Sequence, residues 1–317
     1  MKISVIIPVK NGEPALENCL RSIREQNSID IEILILDSMS SDRSREISNS
    51  FGARVISIPD GTFNHGLTRN IGARYAKNEF LYYTVQDAWL PEKNMLERMV
   101  KHFEDQSVQA VAGHQATPWG HPDKNPVLWF KRFTEPMVTT REYPNLSFDQ
   151  LTLKQQFEAS GWDDVNAMYR KSALIQIPFR ETDFSEDWLW ANDALRNGMK
   201  ILYDPSLIVY HYHHMYFGYV FKAKFIMNYY FHKFFKQLPA VPWSPVGAIK
   251  STYTLLKLKE ASILKKPYWI LHNLMFNLSF FLSVIIFRTT FYLGGQRMLD
   301  KAYTIICKKV PQGKPKS

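Results

Sequence analysis

Three apolar, β-branched runs, residues 2–8, 31–36 and 80–85, each hand over to polar residues, and helical patterns separate them. This alternation restricts the chain to an α/β fold with a mostly parallel sheet, because parallel neighbours need a crossover long enough to hold a helix. The first helix opens at Pro14 and carries Leu16, Leu20 and Ile23 at helical spacing. A helix and a short strand at 54–58 follow. A Gly-bearing loop then leads into another helix over 61–76. Right-handed crossovers place Pro8, Asp37 and Asp87 along one edge of the sheet. Open α/β sheets bind ligands outside the carboxyl ends of their strands, so that edge is a nucleotide-binding candidate.

The run FLYYTVQDAW at 80–89 ends its strand in Gln86 and Asp87. A carboxylate there can hold a divalent cation against a phosphate. Asp87 also suits a helix N-cap, since Pro91 and a helical pattern follow it. Arg69 and Asn70 fall in the first turn of the helix after Asn64-His65-Gly66, and an Arg beside a helix N-terminus suits a diphosphate. There is no Walker A loop and no GxGxxG after the first strand, which excludes the usual ATPase and nicotinamide-dehydrogenase patterns.

Glu186-Asp187 opens a helix that Gly198 closes. Acids are favoured there by the helix dipole. Trp188 and Trp190 stand beside them, however, and indole faces suit sugar rings. A carboxylate next to such a platform can act as general base toward a hydroxyl. Short strands at 201–203 and 207–210 lead to His211, His213 and His214; alternation puts His211 and His213 on one side, and imidazole is a common metal ligand. An aromatic surface turn explains His213 and His214 better than His211. Asp163-Asp164 is a paired carboxylate too, and it reads mainly as loop solvation. Trp162 and Tyr169 are candidates for shaping an acceptor site.

Charge divides the chain. Residues 219–317 hold 16 Lys and Arg against Glu260 and Asp300, a net of +14, whereas residues 1–218 carry −5 and the whole chain +9. A basic region of this kind suits a polyanionic partner. Residues 216–236 contain ten aromatics interleaved with lysine, a pattern that fits a bilayer headgroup layer. Residues 268–287 are free of Asp, Glu, Lys and Arg and long enough to span. His272, Asn273, Asn277, Ser279 and Ser283 nevertheless share one side of that helix, which argues for an interfacial or re-entrant helix packed on others. A homo-oligomer through its apolar stripe is a further reading. No nucleic-acid motif accompanies the lysines, so no nucleic-acid partner is expected. Cys19, among polar neighbours and half-buried, and Cys307 are no disulfide framework and fit a reducing cytosol. No leader pattern precedes the first strand, so the sequons at Asn145 and Asn277 read as chance. Residues 311–317 read as a frayed basic tail.

In order, VIIP at 5–8, DSMSSD at 37–42, RNIGA at 69–73, QDA at 86–88, Glu186-Asp187 and His211 resemble the inverting GT-A glycosyltransferases of family 2. The detail GTFNHGLTRNIGA with QDA is most similar to bacterial rhamnosyltransferases of cell-surface polysaccharide, over about residues 1–215. The resemblance implies a GT-A domain over 1–215, Rossmann-like with a mostly parallel sheet. A basic, aromatic-rich helical region follows at 216–317. It implies that Pro8 and Asp37 line the nucleoside pocket, with Arg69 near the diphosphate and Gln86 at the donor sugar or phosphate. Asp87 and His211 would hold Mg²⁺ or Mn²⁺, Asp187 would be the catalytic base, and Glu186, Trp188 and Trp190 would meet the acceptor. The usual Asp-x-Asp reads Val85-Gln86-Asp87 here, with one carboxylate missing.

The expected function is transfer of a sugar, L-rhamnose from dTDP-rhamnose, onto a lipid-linked or oligosaccharide acceptor in surface polysaccharide (O-antigen) synthesis. The expected place is the cytoplasm, peripheral on the inner face of the plasma membrane. The alternatives are a UDP-hexose donor and a non-catalytic, membrane-docking scaffold that binds a nucleotide sugar. A sugar-phosphate nucleotidyltransferase needs a Gly-rich loop with Arg and Lys after the first strand, and residues 9–13, VKNGE, lack it.

Overall fold

The fold is given by a computed structural model that describes residues 2–118, 120, 125–129, 137–143, 148–213, 215–241 and 244–307. His214, the sequon at 145–147 and the tail at 311–317 lie outside the described residues. In chain order the first elements are β1 Lys2–Val9, α1 Ala15–Arg24, β2 Asp30–Asp37, α2 Ser44–Ser50, β3 Arg54–Ser57, α3 His65–Tyr75 and β4 Phe80–Tyr83. Then come α4 Met95–Lys101, β5 Val108–Ala116, α5 Pro126–Trp129, β6 Thr139–Arg141, α6 Leu153–Ala159, β7 Ala167–Arg170 and α7 Lys171–Gln176. The last are α8 Glu186–Arg196, β8 Lys200–Tyr210, α9 Phe217–Phe235, α10 Ser244–Lys257 and α11 Lys266–Ile306.

Two compact units form, Met1–Ala116 with Phe133–Tyr212, and Thr117–Arg132 with His213–Lys316. The division falls after Tyr212 rather than after residue 215, and residues 117–132 join the second unit.

The first unit holds an eight-stranded sheet in the order β3-β2-β1-β4-β7-β5-β8-β6. β7 and β6 run against the rest. The carboxyl ends of β1, β2, β4, β5 and β8 therefore share one edge with the amino end of β7. The runs VII and ILIL are apolar at consecutive positions because both faces of the sheet are covered. Ile6, Leu34, Leu36, Leu81 and Tyr83 pack on one face with Tyr169 and Trp190. Val5, Ile7, Ile33, Ile35 and Tyr82 pack on the other with Leu16, Leu20 and Ile23 of α1. This is the period-two alternation of a strand.

The two short strands expected at 201–203 and 207–210 are one strand, β8. Its break survives as an irregularity, since Ala112 pairs with Tyr203 but His114 with Ile208. Buried Asn166 pins that place: its Nδ2 donates to Leu207 O at 2.8 Å, and Tyr82 Oη donates to its Oδ1 at 3.1 Å. A Cβ on Gly113 would lie 2.2 Å from Asn166 Nδ2 and 2.3 Å from Leu207 O, so only glycine fits. Cys19 is fully buried in this core rather than half-buried, because it lies on the inward side of α1 with Leu16, Leu20 and Ile23.

In the second unit α9 packs on α11. Ser279 Oγ donates to Phe217 O at 2.6 Å, Phe225 meets Phe287 at 5.8 Å, and Tyr229 stacks on Tyr303 at 4.4 Å while donating to Asp300 at 2.8 Å. Asn273, Ser279 and Ser283 of the polar stripe are buried, and Leu271, Leu274, Leu278 and Ile286 are exposed. The helix through 263–306 is long and apolar enough to cross a membrane by length and composition. Gly294 and Gly295 interrupt its helical geometry, Gly295 at φ 57°.

Candidate active site

The carboxyl edge gathers the polar residues of the first unit. After β1 and β2 two loops are zipped together. Asn11 N–H donates to Ser40 Oγ at 2.9 Å, Gly12 N–H to Ser44 Oγ at 2.7 Å, and Ser41 N–H to Asn11 Oδ1 at 2.8 Å. Asp37 ends β2 buried, accepts from Ser40 N–H at 3.2 Å, and faces Arg45 at 3.4 Å. Pro8 is half-buried opposite Leu36. Gln86 closes the same corner: its Oε1 accepts from Lys10 N–H at 2.9 Å and its Nε2 donates to Lys10 O at 3.3 Å. Its amide thus clamps the loop after β1.

Backbone pairing beyond the sheet proper brings Asp87 and His211 together. Trp89 and Tyr210 exchange N–H···O bonds of 3.0 and 2.8 Å, and His211 N–H donates to Ala116 O at 3.1 Å. Asp87 Oδ1 consequently lies 3.4 Å from His211 Nε2. A hard carboxylate oxygen and an imidazole nitrogen converging on one point fit a divalent ion such as Mn²⁺ or Mg²⁺.

On the other side of His211, Nδ1 is 2.8 Å from Gln115 Oε1 at the end of β5, and the Gln115 amide nitrogen donates to Asp163. The next residue, Asp164, donates its N–H to Asp187 Oδ2 at 3.4 Å and accepts from Tyr169 Oη, which in turn accepts from Trp162 Nε1 at 2.6 Å. These contacts, continued through the peptide bond between Asp163 and Asp164, join the Asp87–His211 pair to Asp187.

Asp187 occupies the first turn of α8, where its Oδ1 accepts from Trp188 N–H at 2.8 Å. Burial, then the charges of Asp164 and Asp163, push its carboxyl up to about 8. Burial also raises Asp163 and Asp164. Arg69 opposes this, with Nε 3.0 Å from Asp164 Oδ2 and Nη1 on Glu186. A carboxyl poised near 8 is a strong base for a carboxylate.

Several expected roles change. Arg69 is enclosed by Asp164 and Glu186 and is 5% exposed, so its guanidinium serves the acid cluster rather than a diphosphate. Glu186 is buried in that pair and does not face an acceptor. Trp190 is wholly buried, its Nε1 donating to Ile177 O at 2.9 Å. Trp188 is half-buried, with the Phe157 ring 4.7 Å away. The signal was in the spacing, since helical residues two apart cannot share a face. Trp162 and Tyr169 are buried supports within the network, not a surface for an acceptor.

Asp163-Asp164, read mainly as a solvated loop, and Gln115, which was missed, both belong to this network. Asp164 is 1% exposed, the opposite of loop solvation. An acid pair two residues before the buried run Ala167–Arg170 was the available signal. Gln115 had none, because its strand was not recognised.

Residues 4–177 match the family described as Glycosyl transferase family 2. Together with the mostly parallel sheet, this defines a glycosyltransferase of the GT-A type. The match covers more than half of the chain, and the chain belongs to that family. It is 30% identical over 220 residues to the O-antigen chain rhamnosyltransferase WbaN of Salmonella anatum, covering 66% of each chain. With the O-antigen chain rhamnosyltransferase RfbN of Salmonella typhimurium it shares 27% over 217 residues, covering 67% of each. The match thus spans about two thirds of each relative's length. Among solved structures, S. aureus TarS 1–349 superposes with a TM-score of 0.52 at 18% identity, covering 98% of this chain and 81% of that one. The complex of the same fragment with UDP-GlcNAc gives 0.53.

Proposed function

We propose that this chain is an inverting glycosyltransferase that moves a deoxyhexose, L-rhamnose from dTDP-rhamnose, onto a lipid-linked glycan of a bacterial surface polysaccharide. The observation that carries the reading is the contact run from Asp87 and His211 to Asp187. It connects a leaving-group side with a base on one edge. The two O-antigen rhamnosyltransferase relatives support the choice of sugar.

Pro8 and Asp37 frame the nucleoside, held by the zipped loops after β1 and β2. Asp87 and His211 would hold Mg²⁺ or Mn²⁺, whose charge offsets that of the departing nucleoside diphosphate. Asp187 takes the acceptor hydroxyl proton while the hydroxyl oxygen bonds to the anomeric carbon. The bond from that carbon to the diphosphate breaks on the opposite face, its electron pair leaves with the diphosphate, and the configuration inverts. Trp188 offers its indole face to the acceptor sugar.

A lipid-linked acceptor fits the second unit. α11 buries Asn273, Ser279 and Ser283 of its polar stripe and exposes leucines, and residues 219–317 carry a net +14. These features suit a peripheral position on the anionic inner face of the plasma membrane. Co-sedimentation with phosphatidylglycerol vesicles, weakened by salt and lost with neutral lipid, supports this. A salt-independent dimer that ignores vesicles favours the homo-oligomer.

The deciding experiment is calorimetric binding and transfer with dTDP-rhamnose, UDP-glucose and UDP-galactose, each with and without Mn²⁺. Turnover of dTDP-rhamnose alone supports the reading. Preference for a UDP-hexose moves the donor, and binding without turnover of any donor leaves the scaffold.

A further inference from the structure

Gln115 lies on β5 opposite Val209 of β8, and its side chain reaches both Asp163 and His211. Asp163 accepts from Val165 N–H at 2.9 Å through Oδ1, which fixes how its carboxylate is presented. A carboxylate only accepts, so the Gln115 amide nitrogen is the end that faces Asp163. Its carbonyl oxygen then faces His211 Nδ1 at 2.8 Å, and that oxygen also only accepts. The proton of His211 consequently belongs on Nδ1. Nε2, 3.4 Å from Asp87 Oδ1, is left as the lone-pair nitrogen.

We infer that Gln115, oriented by Asp163, is a positioning residue that holds His211 in its Nδ1–H tautomer and so makes Nε2 the cation-binding atom of the Asp87–His211 pair. The inference rests on the reading of that pair as a metal site. Hydrogen bonds to the far nitrogen of a metal-binding imidazole set its tautomer and ring orientation, and their loss typically costs 10–100-fold in metal affinity. The Asp-Gln-His order does more than a single acceptor would. The amide transmits the acceptor character of Asp163 across its own length, and the direction of the whole relay is set at the carboxylate.

Two measurements on the full-length protein test this. Two-bond ¹⁵N–¹H correlation spectra of imidazole-labelled protein, with His211 identified by the signals lost in His211→Gln, read the tautomer directly in the wild type. Nδ1–H is expected, and Nε2–H overturns the inference whether or not metal binds. Titration of Mn²⁺ alone, followed by its electron paramagnetic resonance, compares wild type with Asp87→Ala, His211→Ala and the near-isosteric Gln115→Met. Loss of binding in the first two, with roughly a 10-fold or greater weakening in Gln115→Met, is expected. Unweakened binding in Gln115→Met beside loss in the other two overturns the role of Gln115 alone. Unchanged binding in Asp87→Ala and His211→Ala removes the metal site, and the inference with it.

Discussion

Arg69 Nε lies 3.0 Å from Asp164 Oδ2, and the two side chains are only 6% and 1% exposed. The same guanidinium meets Glu186, while the Asp164 N–H meets Asp187. One buried cation thus moderates a cluster of carboxyls in which burial first, and then the charges of Asp164 and Asp163, raises Asp187, the proposed base. Support and chemistry are coupled through Asp164.

Replacing Asp187 by Asn keeps its shape and removes the proposed base. Turnover is expected to fall by about 10²–10⁴-fold with donor affinity retained, as kinetics and calorimetry would show. In the wild type the rate should climb with pH and level off above about 8, the value to which burial and Asp164 push the Asp187 carboxyl. The same shift has a stability consequence. The unfolded carboxyl ionises near 4 and the folded one near 8, so the folded state binds the proton more tightly and loses stability as pH rises between them. Asp187→Asn should therefore melt higher than wild type at pH 8. Equal melting points there would contradict the assigned environment.

Removing Arg69 should be costly. Arg69→Met leaves Asp164 and Glu186 buried without their cation, a change expected to cost about 3–5 kcal/mol in denaturant unfolding. Any folded fraction should show its rate-limiting ionisation moved to higher pH, because Arg69 lowers the Asp187 carboxyl. A variant with Asp164→Asn added should recover part of the loss.

Gly113→Ala should destabilise by about 1–3 kcal/mol, since its Cβ meets Asn166 and the backbone of Leu207 and neither can withdraw cheaply. Chemical denaturation measures it. The displaced β5–β8 pair also carries Gln115 and leads to His211, so activity should fall further than stability alone explains.

The two tryptophans of α8 should separate. Trp190→Ala opens a cavity in the core and is expected to cost about 3–5 kcal/mol. Trp188→Ala should leave the melting point nearly unchanged and raise the acceptor KM. The reverse pattern would mean that Trp188, not Trp190, is the structural one.

What the sequence determined by itself was the repeating unit and its edge. Apolar runs ending at Pro8, Asp37 and Asp87 specify strands and their carboxyl ends locally, and the crossover rule then aligns those ends without further information. Strand alternation and imidazole chemistry offered His211 as a partner for Asp87, the resemblance named the pair, and the fold brings the two within 3.4 Å. The tertiary structure decided how the ionisable groups are used. Asp163 and Asp164 look like a solvated turn until β7 inserts antiparallel between β4 and β5 and carries them to the carboxyl edge of the sheet. Arg69 looks like an anion site until Glu186, 117 residues away, closes over it. Strand identity follows from short-range periodicity. Burial, partner and protonation of a side chain depend on which distant segments surround it, and those segments meet only in the folded chain.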